Sequence, residues 1–302
     1  ADAVAASLQR MQALDIVQSD GSASPHMFKH ALLRDAVYQG LVADRRSELH
    51  AAIAAAVEAR NAARPVEVAE TLAYHYARSS RADMAFRYCV LAGTKSLGIF
   101  SHPEASRYFA TALELYEADP SVASDEAFAE FLASYALCLN ISLDVRTMIA
   151  LVERVGPFLA RAEDSSAHVL FLHHYVSCLV ANSRFTDALA VQTRLTAMAR
   201  RVGDPRSIAY ALVNELSVST YCPYAAPLTN AAFAARRDEV DAALAQFDDA
   251  YLRNFFYATL GWNELTRGRV TGARDMAEQL VVHGEERNDP RALGYGTAMK
   301  AL

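Results

Sequence analysis

Apolar positions recur with a helical period over most of the chain. Ala105, Tyr108, Phe109, Ala112, Leu113 and Tyr116 fall at i, i+3, i+4, i+7 spacing, and Leu49, Ile53 and Val57 do the same upstream. That spacing is the stripe of a helix burying one face. Strand-like segments occur only near the start: Asp15-Ile16-Val17-Gln18, a turn around Asp20-Gly21, then His26-Met27-Phe28. A helix, a small hairpin and a second helix there predict part of a winged helix.

Helix starts can be located from their caps. An Asp followed by Pro and an apolar-periodic run marks an N-terminus, because the carboxylate accepts from free N–H groups and Pro at the first position needs no donor. Asp204-Pro205-Arg206 with Tyr210 recurs 85 residues later as Asp289-Pro290-Arg291 with Tyr295. Thr186, Ala188 and Leu195 recur at the same offset as Thr271, Ala273 and Leu280. Following the Asp signal gives starts at Asp125, Asp164, Asp204, Asp249 and Asp289, separated by 39, 40, 45 and 40 residues. Each interval holds two helices of about 15 to 18 residues and two short turns, a helix-turn-helix repeat. The longest contains Tyr221-Cys222-Pro223-Tyr224-Ala225-Ala226-Pro227, an insert of about five residues that either kinks the stack or offers a loop on a binding face.

Small residues recur where paired helices must cross closely. A frame starting at Val66 puts Leu72 and Ala73 at the crossing, Tyr76 beside it, and Ala85 and Ala92 on the second helix. A frame from Phe86 puts Gly93, Ala105, Phe109 and Ala112 in the same roles, so that one helix serves two frames. Frames from Val169 and Asn254 keep Ala188, then Gly261 and Ala273. The pattern is similar to tetratricopeptide repeats, whose period is about 34 residues. The fold expected is all-α: a right-handed, tetratricopeptide-like solenoid with a partial winged helix at its head.

Composition narrows the class further. Of 302 residues 53% are hydrophobic and 21% charged, with 12 Gly and 9 Pro, which excludes disordered, collagen-like and turn-rich all-β chains. A net charge of −6 gives no electrostatic footprint for nucleic acid or an anionic membrane. No apolar run approaches the roughly 18 residues of a membrane span, and no leader pattern is present, so a cytoplasmic location is expected. Cys89, Cys138, Cys178 and Cys222 contain no CxxC pair and read as core thiols rather than disulfide or zinc ligands. The chain begins at Ala1 without Met and stops at Leu302 inside a helical pattern, as expected of a piece of a longer protein.

One stretch is more specific. Phe28-Lys29-His30-Ala31-Leu32-Leu33-Arg34-Asp35-Ala36-Val37-Tyr38, Arg45-Arg46, Leu49-His50 and Ala55 lead into Leu72-Ala73-Tyr74-His75-Tyr76, Ala85, Tyr88, Ala92-Gly93, Ala105 and Ala112-Leu113. Residues 26 to 118 resemble the junction of bacterial signal-transduction ATPases with numerous domains (STAND), in their cyclase-associated branch. There a nucleotide-binding module ends in a winged helix and passes into tetratricopeptide-like repeats. The resemblance implies a winged-helix remnant over 1–43 and repeats over 44–302. It also implies ATP or ADP in the parent protein, with an adenylate or guanylate cyclase or a transcriptional activator as output. Lys29-His30-Ala31-Leu32-Leu33 is similar to the Met-His-Asp sensor motif of such modules. His30 alone carries over, as a nucleotide sensor; Lys29 replaces the Met and Ala31 the Asp. Read from the residues, His30 either offers a donor at a helix start or caps the hairpin or packs beneath Tyr38.

Catalytic chemistry has no anchor in this chain. No GxxxxGK[ST] loop, HExxH pair or Gly-x-Ser-x-Gly elbow occurs, and Asp248-Asp249 reads as a helix start. His168, His173 and His174 diverge by about 100 to 140° around a helix, unlike an i, i+4 metal pair. No metal, cofactor or enzyme activity is expected of these residues themselves. Surface remains: the first helix of each pair should line the groove, placing Tyr74 and Arg78, His173 and Ser177, and Phe255 and Trp262 there. The function expected is a non-catalytic regulatory module binding a protein or peptide, or the parent's own domains. The alternatives are a small-molecule inducer held in the groove, and an enzyme only in the parent.

Overall fold

The computed structural model describes residues 2–18, 26–222 and 228–302. Among them the chain forms sixteen α-helices and one two-stranded antiparallel ladder, so the all-α expectation holds. The Pro-containing insert from Cys222 to Pro227 and the turn at Asp20-Gly21 lie, apart from Cys222, outside the described residues. Backbone contacts divide the chain into two units, residues 1–92 with 111–122, and residues 93–110 with 123–302.

The first unit opens with α1 (Asp2–Ala13), β1 (Val17–Gln18), β2 (Met27–Phe28) and α2 (Ala31–Gly40). Val17 pairs with Phe28 and Gln18 with Met27. The helix, hairpin, helix order matches the sequence reading. Yet Val17 is the one buried apolar side chain among described residues 4–42, and α2 buries none, so this stretch has no core of its own.

Packing begins at α3 (Ala43–Arg60) and α4 (Ala69–Tyr76), followed by α5 (Ala82–Gly98) and α6 (His102–Ala118). Leu72, Ala73, Tyr76, Ala85 and Ala92, the crossing positions read from the sequence, are all buried. The stacked rings of Tyr76 and Tyr88 both donate to Glu58, at 2.6 Å each. Burial works against the Glu58 carboxylate, but these two hydrogen bonds outweigh it and hold its pKa below the usual value.

The second unit is built of helix pairs. The first helices are α7 (Asp125–Ile141), α10 (Ser166–Ala181), α12 (Pro205–Tyr221), α14 (Ala250–Thr266) and α16 (Pro290–Lys300). Their seconds are α8 (Val145–Arg154) with α9 (Gly156–Arg161), α11 (Phe185–Val202), α13 (Asn230–Leu244) and α15 (Val270–Arg287). Pro157, which lacks an N–H, falls where the second helix of the first pair divides into α8 and α9. Each first helix packs on the next, α7 on α10, α10 on α12, α12 on α14 and α14 on α16. Phe128, Phe131, Phe171 and Phe256 are fully buried by this stacking, which hides what one hairpin would leave in water.

Three aspartates cap as expected: Asp204, Asp249 and Asp289 accept from Ser207 N, Leu252 N and Arg291 N at 2.8, 3.0 and 2.9 Å. At the other two starts the cap is the neighbouring serine. Ser124 Oγ accepts from Ala127 N and Ser165 Oγ from His168 N. Serine and aspartate cap equally well, and the aspartates beside them instead pair across the repeat, Asp125 with Arg161 and Asp164 with Arg201. Close approach also falls where small residues predicted it. A Cβ on Gly93 would stand 2.6 Å from the Phe109 ring, and one on Gly261 would collide with Met299.

Candidate functional site

The first helices of the second unit line a cleft of about 750 Å³. Helix α14 supplies Tyr251, Phe255, Ala258 and Trp262, a 4-3-4 spacing that puts all four on one face. Asn140 on α7, Ser177 on α10 and Tyr221 on α12 extend the wall, and Arg291 and Tyr295 on α16 close it. Side chains from five helices therefore meet in one cavity.

A buried polar chain braces its floor. Asn140 Nδ2 donates to the Tyr251 hydroxyl at 2.9 Å, which stands 3.4 Å from His173 Nε2. Asn214 Nδ2 donates to His173 Nδ1 at 2.9 Å, and its carbonyl accepts from Ser177 Oγ at 3.1 Å. Because Nδ1 accepts, the tautomer that satisfies this network carries its proton on Nε2, facing Tyr251. Rings of Tyr210, Tyr251 and Phe255 approach His173 edge-on. Burial drives its pKa down to about 3, and Asp249 offsets this only in part. The adjacent His174 is also held neutral, first by burial, then by His173 and Arg291.

The charged residues of the described lining are Asp289 and Arg291. Asp289 is spent locally: it caps α16, and its Oδ2 accepts from Asn254 Nδ2 at 2.9 Å. Asn254 is itself fixed by His283 Nδ1, 2.6 Å from its carbonyl oxygen. The Arg291 guanidinium lies 5.4 Å from the centre of the Tyr251 ring and meets Asp289 only at 3.3 Å, long for a charge-assisted hydrogen bond.

Of the groove positions read from sequence, Ser177, Phe255 and Trp262 line this cleft. His173 is fully buried behind it, which corrects its placement on the groove surface: a near-neutral imidazole among aromatic rings is floor, not wall. Tyr74 and Arg78 belong to the first unit, where the guanidinium covers the Tyr74 ring at 3.8 Å. His30 is exposed at the N-cap of α2, and its side chain makes no capping bond. The Tyr38 hydroxyl is 2.8 Å from His50 Nε2. Sequence reasoning missed Asn140, Tyr251, Asn254, Asp289, Arg291 and Tyr295 as wall residues. Arg291 and Tyr295 were visible, as members of the 85-residue repeat.

Ser177 Oγ donates to the His173 carbonyl at 2.9 Å and to the Asn214 carbonyl oxygen at 3.1 Å. Among the described residues no three His, Cys, Asp or Glu side chains converge to hold a metal ion. All four cysteines are buried and none forms a disulfide among the described residues. Among the described residues no helix is long and apolar enough to cross a membrane. No family model matches the chain, and no curated protein matches it.

Proposed function

We propose that the chain is a non-catalytic regulatory module whose tetratricopeptide-like repeats hold a small-molecule inducer. The supporting observation is the cleft of about 750 Å³, within the roughly 300 to 1,000 Å³ of small-ligand pockets. Because its walls come from α7, α10, α12, α14 and α16, one bound molecule touches every repeat of the second unit. Ligand binding would then favour whichever arrangement of the repeats closes best around it, by no more than its differential affinity for the two states.

The resemblance of residues 26–118 to STAND proteins supplies the setting. The module would report to the parent's own domains, an ATP- or ADP-binding ATPase linked to a nucleotidyl cyclase, in the cytoplasm. In that reading His30 faces the parent's nucleotide-binding module. Trp262 is the one Trp of the chain and lines the cleft, so its emission reports directly on occupancy. Native mass spectrometry of the purified protein, followed by fluorescence titration with any co-purified small molecule and with a metabolite collection, tests the reading. A saturable change in emission, lost in Trp262→Phe, is expected; no compound perturbing Trp262 or binding by mass would overturn it.

A further inference from the structure

Proton counting leaves one donor over in the middle of the cleft. The Tyr251 oxygen accepts from Asn140 Nδ2 at 2.9 Å and stands 3.4 Å from His173 Nε2, the nitrogen that carries the ring proton. A phenol oxygen has two lone pairs, and these two N–H groups take both. No described residue accepts the O–H of Tyr251 in turn, although the side chain lines the cavity. Burial raises the Tyr251 pKa, so the proton stays in place at neutral pH.

A second hydroxyl stands in the same condition. Ser217 on α12 is 2% exposed, lines the cleft and makes no hydrogen bond with any described residue. A serine within a helix commonly donates to the carbonyl one turn earlier, as Ser177 does to His173 at 2.9 Å. Ser177, Ser217 and Trp262 follow Asp164, Asp204 and Asp249 by 13 residues each, and all three reach the cleft, so the repeat aims this position inward. Helix α12 packs between α10 and α14, and α14 between α12 and α16. Both unpaired donors are therefore interior to the stack.

The two charges of the lining answer each other. Arg291 donates to both carboxylate oxygens of Asp289, and its guanidinium lies over the rings of Phe100 and Tyr251. His173 and His174 are held neutral by burial. An ion entering the cleft would shed its water and meet no free counter-charge, a penalty that an uncharged ligand does not carry.

We propose that the cleft takes an uncharged, flat aromatic molecule with carbonyl oxygens that accept from the Tyr251 and Ser217 hydroxyls, its rings lying along Phe255 and Trp262. This rests on the small-molecule reading above and specifies its ligand class. A carbonyl suits unpaired donors better than a hydroxyl, because it accepts twice and brings no donor that needs a partner of its own. Phe255 and Trp262 are seven residues apart on one face of α14, and aromatic faces stack on flat rings.

The test is titration of the protein, followed by calorimetry and Trp262 emission, with acetophenone, 2-acetylnaphthalene and benzophenone. Each is set beside the hydrocarbon that has methylene in place of the carbonyl, and beside its ring carboxylate and ring aminomethyl derivatives. At least one ketone is expected to bind about tenfold or more tightly than its hydrocarbon and than both charged forms. Ser217→Ala removes a hydroxyl that no protein group uses, so the fold should be intact, and it should weaken that ketone about threefold or more without changing its hydrocarbon. Tyr251→Phe should bring the ketone close to the hydrocarbon, with circular dichroism confirming that the helices are retained. A ketone preference that survives both substitutions, or an acid or amine that binds more tightly than its ketone, overturns the proposal. Hydrocarbons that bind as well as ketones sink it too, but leave the small-molecule reading standing. Silence from all these compounds, in a protein whose Trp262 answers another member of the metabolite collection, sinks this inference alone; silence from both sets sinks the small-molecule reading with it.

Discussion

The Tyr210 hydroxyl donates to Oδ2 of Asp249 at 2.8 Å, joining positions 39 residues apart. The same aspartate caps α14 through Leu252 N, so one buried carboxylate both starts a helix and ties it to its neighbour. Asp249→Ala removes the cap and leaves Tyr210 without its acceptor. Loss of about 2 to 4 kcal/mol of unfolding free energy is expected, from a lost cap and a buried donor left unpaired. Urea denaturation measures it, and Asp125→Ala, at an exposed ion pair with Arg161, should cost about 1 kcal/mol or less.

Two glycines on α16 should respond in opposite directions. A Cβ on Gly296 would stand 2.8 Å from the Ala277 carbonyl oxygen and 3.0 Å from the Val281 nitrogen, both backbone, whereas Gly294 has open space. Gly296→Ala should destabilise by about 1 to 3 kcal/mol through overpacking. Gly294→Ala should stabilise by up to about 1 kcal/mol, because alanine restricts the unfolded chain and favours helix. Thermal midpoints of the two variants decide the matter.

Acid should weaken the second unit before most carboxylates titrate. His173 has its pKa driven down to about 3 by burial, and His174 is depressed by burial and by its charged and imidazole neighbours. Unfolded, each binds a proton near pH 6.5 that the folded protein excludes. Stability is therefore complete above that pH, and falls as pH drops through 6.5 until the folded groups themselves titrate. Each histidine adds a slope of about 1.4 kcal/mol per pH unit. Urea midpoints between pH 7 and pH 5 should decline, and His174→Phe should flatten the decline.

Thiol chemistry gives a simple check on the core. Burial pushes Cys138 and Cys178 up to about 11, and neither is exposed. Ellman's reagent at pH 8 should leave both unmodified in the folded protein and label them at once in guanidinium.

The helix pairs were legible because their signals are local. An Asp-Pro pair, a small residue at a crossing and an apolar stripe each act within one or two turns, and Asp204, Asp249, Asp289, Gly93 and Gly261 all mark the geometry they predicted. Where two good caps stand side by side, as at Ser124-Asp125 and Asp164-Ser165, local chemistry does not choose between them; pairing of the aspartates with Arg161 and Arg201 does. The cleft was legible only in part. Ser177, Phe255 and Trp262 follow from which helix faces inward, but Asn140 reaches Tyr251 across 111 residues, a juxtaposition created by stacking and not encoded at any one spacing. His173 shares the inward helix of Ser177, yet aromatic neighbours from α12 and α14 cover it.

The central claim is that the cleft is a small-molecule site, and filling it is the direct measurement. Gly294 lines the cleft and has no atom within 4 Å of where a Cβ would stand, so Gly294→Phe can occupy the space without disturbing the helix packing. Across one metabolite collection, thermal midpoint and Trp262 emission should shift with at least one compound in the native protein and with none of those compounds in Gly294→Phe. A response that persists unchanged in the filled variant, at equal folded stability, would place binding elsewhere and contradict the account.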